Sequence, residues 1–362
     1  MAERSMNPST NGHSAVHHDL KPRIVIWEMT QACQLACVHC RAHAQPERDP
    51  RELSTAEACR VIDEIAGFGN TLFVMTGGDP MERTDLLTLV RYAVRQGLTT
   101  AFSPSATEKV TVEKLRDLKR GGLHRVALSL DAPDEAGHDA FRGVAGSYRR
   151  TLEIARMLRE IGLPLQIGTT VTTANVDRLR ELAEQAGALG AILWNVFFLV
   201  PTGRAQASLM IRPQRCEEAL HQLVEISKRA RFAMKTTEAP HYRRVVAEMI
   251  QDRPRAQSNI NDAKGFVFLS HTGEVFPSGF LPISAGNVRY HSLAEIYQFS
   301  SLFRSLRNPD QFKGKCGKCE YRHLCGGSRA RAYAVTGDPL ESDPLCAYQP
   351  AAILDPAASP HA

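Results

Sequence analysis

The chain alternates short apolar runs with amphipathic helical patterns from about Arg23 to Gly203, and this alternation restricts the possible folds more than any other feature. The apolar runs are four to eight residues long and nearly continuous, which is typical of parallel strands buried on both faces. The strand candidates are Arg23–Glu28, Thr71–Met75, Thr99–Phe102, Arg125–Ser129, Leu165–Thr169 and Ile192–Leu199. Six such units are too few to close the usual eight-stranded barrel, so we predict an α/β fold with a parallel sheet, a partial (β/α)6 barrel.

Amphipathic helical patterns separate these runs. Ser54 is followed three residues later by Glu57, the capping-box pattern at a helix start, and Val61, Ile62 and Ile65 then form one apolar face. The predicted helices are Ser54–Phe68, Thr84–Gln96, Thr111–Arg120, Ser147–Ile161 and Val176–Leu189. In parallel α/β sheets ligands bind at the carboxyl ends of the strands, so functional residues are expected in the loops that follow the strands.

The alternating pattern ends near residues 201–204, and the rest of the chain is organised differently. Two helical stretches follow, at about 215–230 and 241–251, and then a hairpin with His271–Glu274 as its turn. The remainder is rich in glycine and proline and carries cysteines, which predicts a small domain stabilised by metal. The expected division is a disordered lead-in at 1–20, a core domain at 21–210, a helical connector at 211–260, a small C-terminal domain at 261–350 and a loose tail at 351–362.

The composition indicates the cellular compartment of the protein and the kinds of partner it can bind. The first twenty residues lack the apolar core of a signal peptide, and no apolar run approaches the roughly 20 residues of a membrane helix, so we expect a cytoplasmic protein without a membrane segment. The formal net charge of +5 is small for 362 residues and forms no basic stripe, which disfavours nucleic acid as a partner.

In a reducing cytosol the nine cysteines are not expected to form disulfides, and two tight groups of them predict two metal sites. The isolated Cys59 and Cys216 lie on apolar helix faces and are expected to pack in the core.

Cys33, Cys37 and Cys40 form the first group, in the loop directly after the first strand. A cubane iron–sulfur cluster needs four ligands, so three closely spaced thiolates hold one cluster and leave one iron open to a small molecule. The main alternative is a structural zinc knuckle that takes its fourth ligand from His39 or His43, although zinc sites generally pair one CxxC with a distant second pair. Clustered core thiols are a further alternative. The spacing alone favours the open iron–sulfur site.

This C-x3-C-x2-C spacing at the end of the first strand resembles the signature of the radical S-adenosylmethionine (SAM) superfamily. The resemblance implies a [4Fe–4S] cluster on Cys33, Cys37 and Cys40 whose open iron binds SAM. It also implies an external one-electron donor of flavodoxin or ferredoxin type and reductive cleavage of SAM to a 5′-deoxyadenosyl radical. Superfamily members usually carry an aromatic residue before the third cysteine. His39 stands at that position, and its planar ring is expected near the adenine.

A second motif, Gly77-Gly78-Asp79, follows the second strand. Paired glycines at a strand end let the backbone approach a ligand closely. The motif resembles the GGEP sequence of the superfamily, with Asp79 in place of glutamate, and the resemblance implies that it binds the methionine amine of SAM. Ser129, at the end of the fourth strand, and Arg142 match positions for which the resemblance implies contacts with the SAM carboxylate. The alternatives for these two residues are a strand-end cap and a surface salt bridge.

The second group of cysteines, Cys316, Cys319, Cys325 and Cys346, lies near the C-terminus. Four thiolates suit either a closed tetrahedral zinc site or a second [4Fe–4S] cluster, and spacing does not decide between them. The C-x2-C-x5-C…C arrangement resembles the SPASM/twitch extensions of radical SAM maturases, which implies an auxiliary [4Fe–4S] cluster. That cluster either accepts an electron from the substrate or only orders the small domain.

Two serines limit the number of auxiliary clusters. Ser278 and Ser328 stand where relatives with a full SPASM domain carry cysteines, and no cysteine lies between Cys216 and Cys316. We therefore expect one auxiliary cluster with four thiolate ligands, not two.

The resemblance extends from about residue 23 to residue 350 and is nearest to the haem-biosynthesis branch of the superfamily, in stretches such as His271–Glu274 and Ala285–Asn287. It implies hydrogen abstraction from a substrate C–H bond in a net oxidation such as decarboxylation of a tetrapyrrole side chain. The alternative is a maturase of a ribosomal peptide, of the mycofactocin or pyrroloquinoline-quinone type, so the substrate is a small molecule or a peptide. The maturase is disfavoured because about twenty residues before the first strand are too few for a peptide-binding domain. A non-catalytic iron–sulfur sensor or scaffold is the third possibility, and the retained Gly77-Gly78 turn argues against it.

Overall fold

The computed structural model of the protein describes residues 20–250 and 260–354 of the 362-residue chain. Its strands are β1 Ile24–Glu28, β2 Leu72–Thr76, β3 Thr99–Phe102, β4 Arg125–Ser129, β5 Leu165–Val171, β6 Leu193–Phe198, β7 Ala233–Thr237, β8 Phe266–Leu269 and β9 Val275–Phe276. These nine strands, all that the described residues contain, form one mostly parallel sheet curled into a half-barrel, in the order β7-β6-β5-β4-β3-β2-β1-β8-β9. The predicted α/β partial barrel is confirmed.

Strands β1 to β6 are the six predicted strands, and three further strands extend the sheet at its two edges. β7 pairs in parallel with β6, and β8 pairs in parallel with β1, where Ile26 lies opposite Phe268. β9 then returns antiparallel to β8. The predicted hairpin therefore exists, but it continues the barrel sheet at the β1 edge. The division into domains stays a prediction; its lead-in lies outside the described residues apart from Leu20, and its tail is described only as far as Leu354.

Helices α1 to α8 connect successive strands of the sheet, and α9 to α13 follow β9. They are α1 Thr55–Gly67, α2 Leu86–Arg95, α3 Val112–Arg120, α4 Glu135–Arg142, α5 Ser147–Glu160, α6 Leu179–Ala188, α7 Pro213–Arg229, α8 His241–Ile250, α9 Leu293–Phe299, α10 Ser301–Arg307, α11 Gly314–Lys318, α12 Arg329–Thr336 and α13 Ala351–Leu354. The capping box predicted at Ser54 and Glu57 is present, with both reciprocal hydrogen bonds formed. Among the described residues, no helix has the length and apolar character needed to cross a bilayer.

The two faces of the sheet have different surroundings. Side chains such as Trp27 and Phe73 point toward the helices and belong to the main hydrophobic core. The alternate positions point to the opposite side, which we call the inner face, and strand register joins them from edge to edge: Ser129 lies beside Gly168 on β5, and Gly168 lies beside Asn195 on β6. The loops that follow the strands meet at the carboxyl edge of this face, where the predicted site residues lie.

Candidate active site

The cysteine loop follows β1 directly and is held by the turn after β2. The backbone N–H of Gly78 donates to the carbonyl of Thr30 at 2.7 Å, and that of Asp79 donates to the carbonyl of Ala32 at 2.7 Å. A Cβ atom added to Gly78 would lie 2.5 Å from the Ala32 carbonyl oxygen, and one added to Gly77 would lie 2.7 Å from that of Thr30. The paired glycines are therefore needed because the two loops touch, a role that the sequence pattern alone does not reveal.

Each of the three cysteines has a distinct environment in this loop. The Cys33 Sγ atom lies 3.3 Å from the Ser105 hydroxyl and accepts a hydrogen bond from the Leu35 N–H at 3.3 Å. Burial raises the pKa of the Cys33 thiol. A guanidinium nitrogen of Arg142 lies 3.7 Å from the Cys37 Sγ atom. The carbonyl of Cys40 accepts a hydrogen bond of 2.9 Å from the N–H of Arg204 after β6.

A cavity of about 560 Å³ lies beside this loop, at the carboxyl ends of β2, β3 and β4. It brings together four of the predicted cofactor-binding residues, Gly77, Gly78, Ser129 and Arg142. Backbone and hydroxyl groups of the segment after β3 complete its wall, among them Ser105. The cavity is therefore a polar space in which several strand ends converge, as expected for a ligand site in an α/β sheet.

Two predicted cofactor-binding residues do not line this cavity. The carboxylate of Asp79 is buried and accepts hydrogen bonds from the Met81 N–H at 3.0 Å and the Thr107 hydroxyl at 2.8 Å, so it fixes the neighbouring loops. Burial raises the pKa of Asp79. The ring of His39 stacks on Phe141 with centroids 4.1 Å apart, and burial lowers the pKa of His39 to about 3, so the ring is neutral. The functional roles predicted for both residues stay predictions.

Arg142 is held by a buried carboxylate that sequence reasoning did not assign to the site. Its guanidinium forms an ion pair with Asp131, whose side chain is fully buried, and Asp131 also accepts a 2.8 Å hydrogen bond from the Thr170 N–H. Burial opposes ionisation of Asp131, but the charge of Arg142 outweighs it and lowers the pKa of the carboxyl. The Nε atom of Arg142 is buried and has no protein hydrogen-bond partner. Among the described residues this N–H therefore has no acceptor.

His138 also lines the cavity and was missed by the sequence analysis. Burial lowers the pKa of His138 to about 4, so its imidazole is neutral at physiological pH. The N–H of Asp131 points at Nδ1 from 3.2 Å, which makes Nδ1 the acceptor and assigns the ring proton to Nε2. Its position one helical turn before Arg142 is a signal in the sequence that could have identified it.

The C-terminal cysteines surround a second cavity, of about 380 Å³. All four predicted ligands line it, together with basic side chains that include His241, Arg244 and Lys315. Burial opposes ionisation of Cys346, but the hydrogen bond and charge of His241, with the charge of Lys315, outweigh it and lower the pKa of the thiol. In residues 20–250 and 260–354, no three His, Cys, Asp or Glu side chains converge on a position for a single metal ion. The four predicted thiol ligands thus line one shared cavity.

The two serines that replace expected cysteines contact a buried acid. Ser278 and Ser328 both donate hydrogen bonds to the carboxyl group of Glu238, which follows β7 directly. Glu238 has a backbone φ of 56°, an uncommon conformation for a residue other than glycine, and its side chain is buried. Both serines are therefore engaged in hydrogen bonds within the protein.

Comparison with known proteins identifies the family. Residues 27–186 match the family model described as the radical SAM superfamily. Over 340 residues the chain is 39% identical to the AdoMet-dependent heme synthase of Methanosarcina barkeri, an alignment that covers 91% of this chain and 97% of that protein. The chain belongs to the radical SAM superfamily.

Other radical SAM proteins are similar over most of their length. The AdoMet-dependent heme synthase of Nitratidesulfovibrio vulgaris is 40% identical over 341 residues, covering 91% of this chain and 93% of that protein. The PqqA peptide cyclase of Bradyrhizobium diazoefficiens is 32% identical over 338 residues, covering 91% and 87%. The crystal structure of Streptococcus suis SuiB bound to S-adenosylmethionine has a TM-score of 0.74 at 15% identity, covering 91% of this chain and 78% of that one, which supports the fold.

Radical SAM enzymes use a [4Fe–4S] cluster and SAM, require an electron donor, and act on small-molecule or peptide substrates. Two features of this chain fit those cofactors. The three cysteines lie on one loop beside a polar cavity, and Arg142 lines that cavity and has a buried Nε atom without a partner among the described residues. The protein is thus an enzyme of the radical SAM class.

Proposed function

We propose that this radical SAM enzyme oxidatively decarboxylates propionate side chains of an iron-coproporphyrin, as expected for a haem synthase. In the net reaction a propionate loses one hydrogen atom, carbon dioxide and one electron, and a vinyl group is left. The observation that carries the proposal is sequence identity of 39–40% to haem synthases over 91% of the chain, against 28–32% to PqqA peptide cyclases over the same share. The four-thiol cavity near the C-terminus supports it as the place for an auxiliary cluster.

Seven cysteines are proposed as cluster ligands. Cys33, Cys37 and Cys40 hold the first [4Fe–4S] cluster with one iron open to SAM. The second cluster is held by Cys316, Cys319, Cys325 and Cys346. When bound, the first cluster and SAM would supply a 5′-deoxyadenosyl radical to take up the hydrogen atom, with a flavodoxin or ferredoxin as electron donor, and the auxiliary cluster would take up the electron that the propionate loses.

The remaining proposed roles belong to residues that line the cavity beside the first cysteine loop. Arg142 pairs with the SAM carboxylate through its unpartnered Nε and is kept in place by Asp131. The Ser129 hydroxyl and the backbone of Gly77 and Gly78 offer polar groups to the methionyl end of SAM. These groups belong to strand ends and their adjoining turns, so they are positioned before the ligand arrives and displace water from it.

The proposed division of labour follows the chain. Residues 21–210 form the SAM-binding core, residues 211–260 a connector, and residues 261–350 the part that holds the auxiliary cluster. The β8–β9 hairpin pairs with β1 and so joins the start of the last part to the barrel sheet.

The test is an anaerobic turnover assay. Protein reconstituted with iron and sulfide is mixed with SAM, dithionite and iron-coproporphyrin III, and the products are analysed by mass spectrometry. We expect 5′-deoxyadenosine together with a porphyrin that has lost carbon dioxide and two hydrogens per side chain. Cys33→Ala is the control and forms neither product. Formation of 5′-deoxyadenosine with an unchanged porphyrin would leave the enzyme class intact and rule out this substrate.

The second candidate function is modification of a ribosomal peptide. It is favoured by the 32% identity to a PqqA peptide cyclase over 91% of the chain. The same assay with a PqqA-type peptide decides between the two: a peptide product of changed mass, with the porphyrin untouched, would support the maturase.

A further inference from the structure

The nine strands contain three charged residues, namely Glu28, Arg125 and Lys235. Glu28 is neutralised, because Arg41 donates to its Oε2 at 2.8 Å and the His271 Nδ1 atom lies 3.0 Å from its Oε1. The two basic residues have no such partners. Charged side chains are rarely buried without a partner, so Arg125, which is half-buried on the interior strand β4 and unpaired among the described residues, requires an explanation. Lys235 is the second cation, on the edge strand β7.

Strand register places both cations on the inner face. Arg125 alternates with Val126, which belongs to the core on the helix side, and shares its face with Ser129 at the other end of β4. Lys235 lies beside Asn195 on β6, and Asn195 lies beside Gly168, the neighbour of Ser129. The inner face therefore carries the SAM cavity at its carboxyl edge and these two cations within the half-barrel.

Neither cation has a protein partner. Within residues 20–250 and 260–354, Arg125 and Lys235 form no ion pair or hydrogen bond with another side chain, and the Nε atom of Arg125 is buried. Burial lowers the pKa of Arg125. The protein atoms around Lys235 and then the charge of Arg125 lower the pKa of Lys235 to about 8, so the two charges interact. Lys235 keeps solvent-accessible surface, because β7 is an edge strand, whereas Arg125 is half-buried.

Two neighbouring cations without an anion are unfavourable, because each repels the other and loses part of its hydration. An anionic ligand removes both penalties. The other side chains of this face suit an amphipathic molecule, since Phe197 on β6 and Phe280 beyond β9 form an aromatic pair with centroids 6.3 Å apart. Measured along β4, Arg125 lies four residues from Ser129, or about 13 Å at the usual rise per residue, so a ligand that reaches both must be large.

We propose that Arg125 and Lys235 form an anion site inside the half-barrel that binds a carboxylate of the substrate. The assignment rests on the proposed function, in which the substrate is a tetrapyrrole with several carboxylates. A carboxylate held there anchors one side of the macrocycle, while another side chain extends toward the SAM cavity. Arg125 and Lys235 are therefore specificity-determining residues that act at a distance from the reacting carbon.

The test measures binding by the reconstituted full-length protein, using iron-coproporphyrin III and its tetramethyl ester as probes. Arg125→Met and Lys235→Met each remove one positive charge from the proposed site. Arg125→Lys and Lys235→Arg keep the charge. Arg120→Met, at the exposed end of α3, is the control for a change in net charge elsewhere on the protein. We expect each charge-removing substitution to raise the Kd for the acid roughly ten-fold or more. Affinity for the ester should stay the same, and the charge-keeping variants should remain within a few-fold of the wild type.

The outcomes separate this site from the proposed function. Equal Kd values for the acid in wild type and in both methionine variants would overturn the site, even if the wild type decarboxylates the porphyrin. Charge-dependent binding without turnover would leave the site standing and refute the proposed reaction. Charge-dependent binding of an acidic PqqA-type peptide, with no affinity for the porphyrin, would overturn the assignment to a tetrapyrrole. Iron content and far-UV circular dichroism confirm that each variant is folded. If a methionine variant does not fold, the Kd values of Arg125→Lys and Lys235→Arg decide the result.

Discussion

The hydroxyl of Ser278 donates a 3.0 Å hydrogen bond to the Oε1 atom of Glu238, at the point where the chain leaves β7. Ser328 donates to the second oxygen of the same carboxyl group, and Asp262 lies close enough to raise the pKa of Glu238 further. Glu238 is enclosed by the strand end, by the turn after β9 and by the first turn of α12. The two serines that stand in place of cysteines therefore belong to a buried hydrogen-bond network around Glu238, which connects the barrel to the C-terminal segment.

Stability should depend on the protonation of Glu238. Burial, and then the charge of Asp262, raise the pKa of Glu238 to about 8, although the hydrogen bond from Ser328 and the charge of Arg331 oppose the shift. The folded protein therefore holds a proton that the unfolded chain releases near pH 4.5, and the free energy of unfolding falls as pH rises between these values, by at most about 1.4 kcal/mol per pH unit. Above about pH 8 the loss is complete. Arg329, which faces Asp262, also contributes charge to the network.

The measurement is the melting temperature between pH 6 and pH 9. Glu238→Gln, which keeps a neutral side chain with one donor and one acceptor group, should flatten the decline seen in the wild type. Glu160→Gln, an exposed acid at the end of α5, is the matched control and should keep the wild-type slope. An unchanged slope in Glu238→Gln would assign the titration to another group.

The local sequence patterns predicted much of the fold but not its sheet edges. β1 to β6 are apolar and buried by helices, so their composition identifies them. β7 reads Ala-Met-Lys-Thr-Thr and lies at an edge, where no apolar pattern is needed, and it was missed. The hairpin at β8 and β9 was found, yet its pairing with β1 joins residues about 240 positions apart, which no local pattern encodes.

The same limit applies to the site. Gly77, Gly78, Ser129 and Arg142 share a cavity because each follows a parallel strand or the helix after it, and this order can be read from the sequence. The contribution of Asp131 and His138 depends on side-chain direction and burial, which only the folded chain determines.

Gly78→Ala should disturb the cysteine loop. The added Cβ would lie 2.5 Å from the carbonyl oxygens of Gln31 and Ala32, and backbone cannot move aside as a flexible side chain can. We expect a loss of about 1–3 kcal/mol in stability and less iron on the first cluster after reconstitution, measured by thermal unfolding and iron analysis. Gly67→Ala, at the open C-terminal end of α1, has nothing within 4 Å of the new Cβ and should be neutral or slightly stabilising. Equal iron in both variants would contradict the close contact.

Replacing Arg142 should affect folding and SAM binding in separable ways. Arg142→Met leaves the Asp131 carboxylate buried without its cation, which costs about 3–5 kcal/mol. The double variant Asp131→Asn with Arg142→Met removes the uncompensated charge and should recover most of that stability. Both variants should bind SAM at least ten-fold more weakly, measured by equilibrium dialysis, because the donor to its carboxylate is absent. Full SAM affinity in the stable double variant would exclude Arg142 from the binding site.

The two cysteine groups should lose iron independently. The first three proposed ligands lie on the loop after β1, and the other four line a separate cavity near the C-terminus. Cys346→Ala should therefore lower the iron content of the reconstituted protein from about eight to about four atoms per chain, and Cys33→Ala should remove the other share. Cys59→Ala is the control, because this thiol packs against the core of α1 and should leave the iron content unchanged. One equivalent of zinc in the wild type that is lost in Cys346→Ala, with the iron content unchanged, would identify a closed tetrahedral site. Cys346 lies next to His241 and Lys315 and has a lowered pKa, whereas the pKa values of the other three thiols are raised. It is therefore the most readily ionised of the four thiols, and we choose it to test the second cluster.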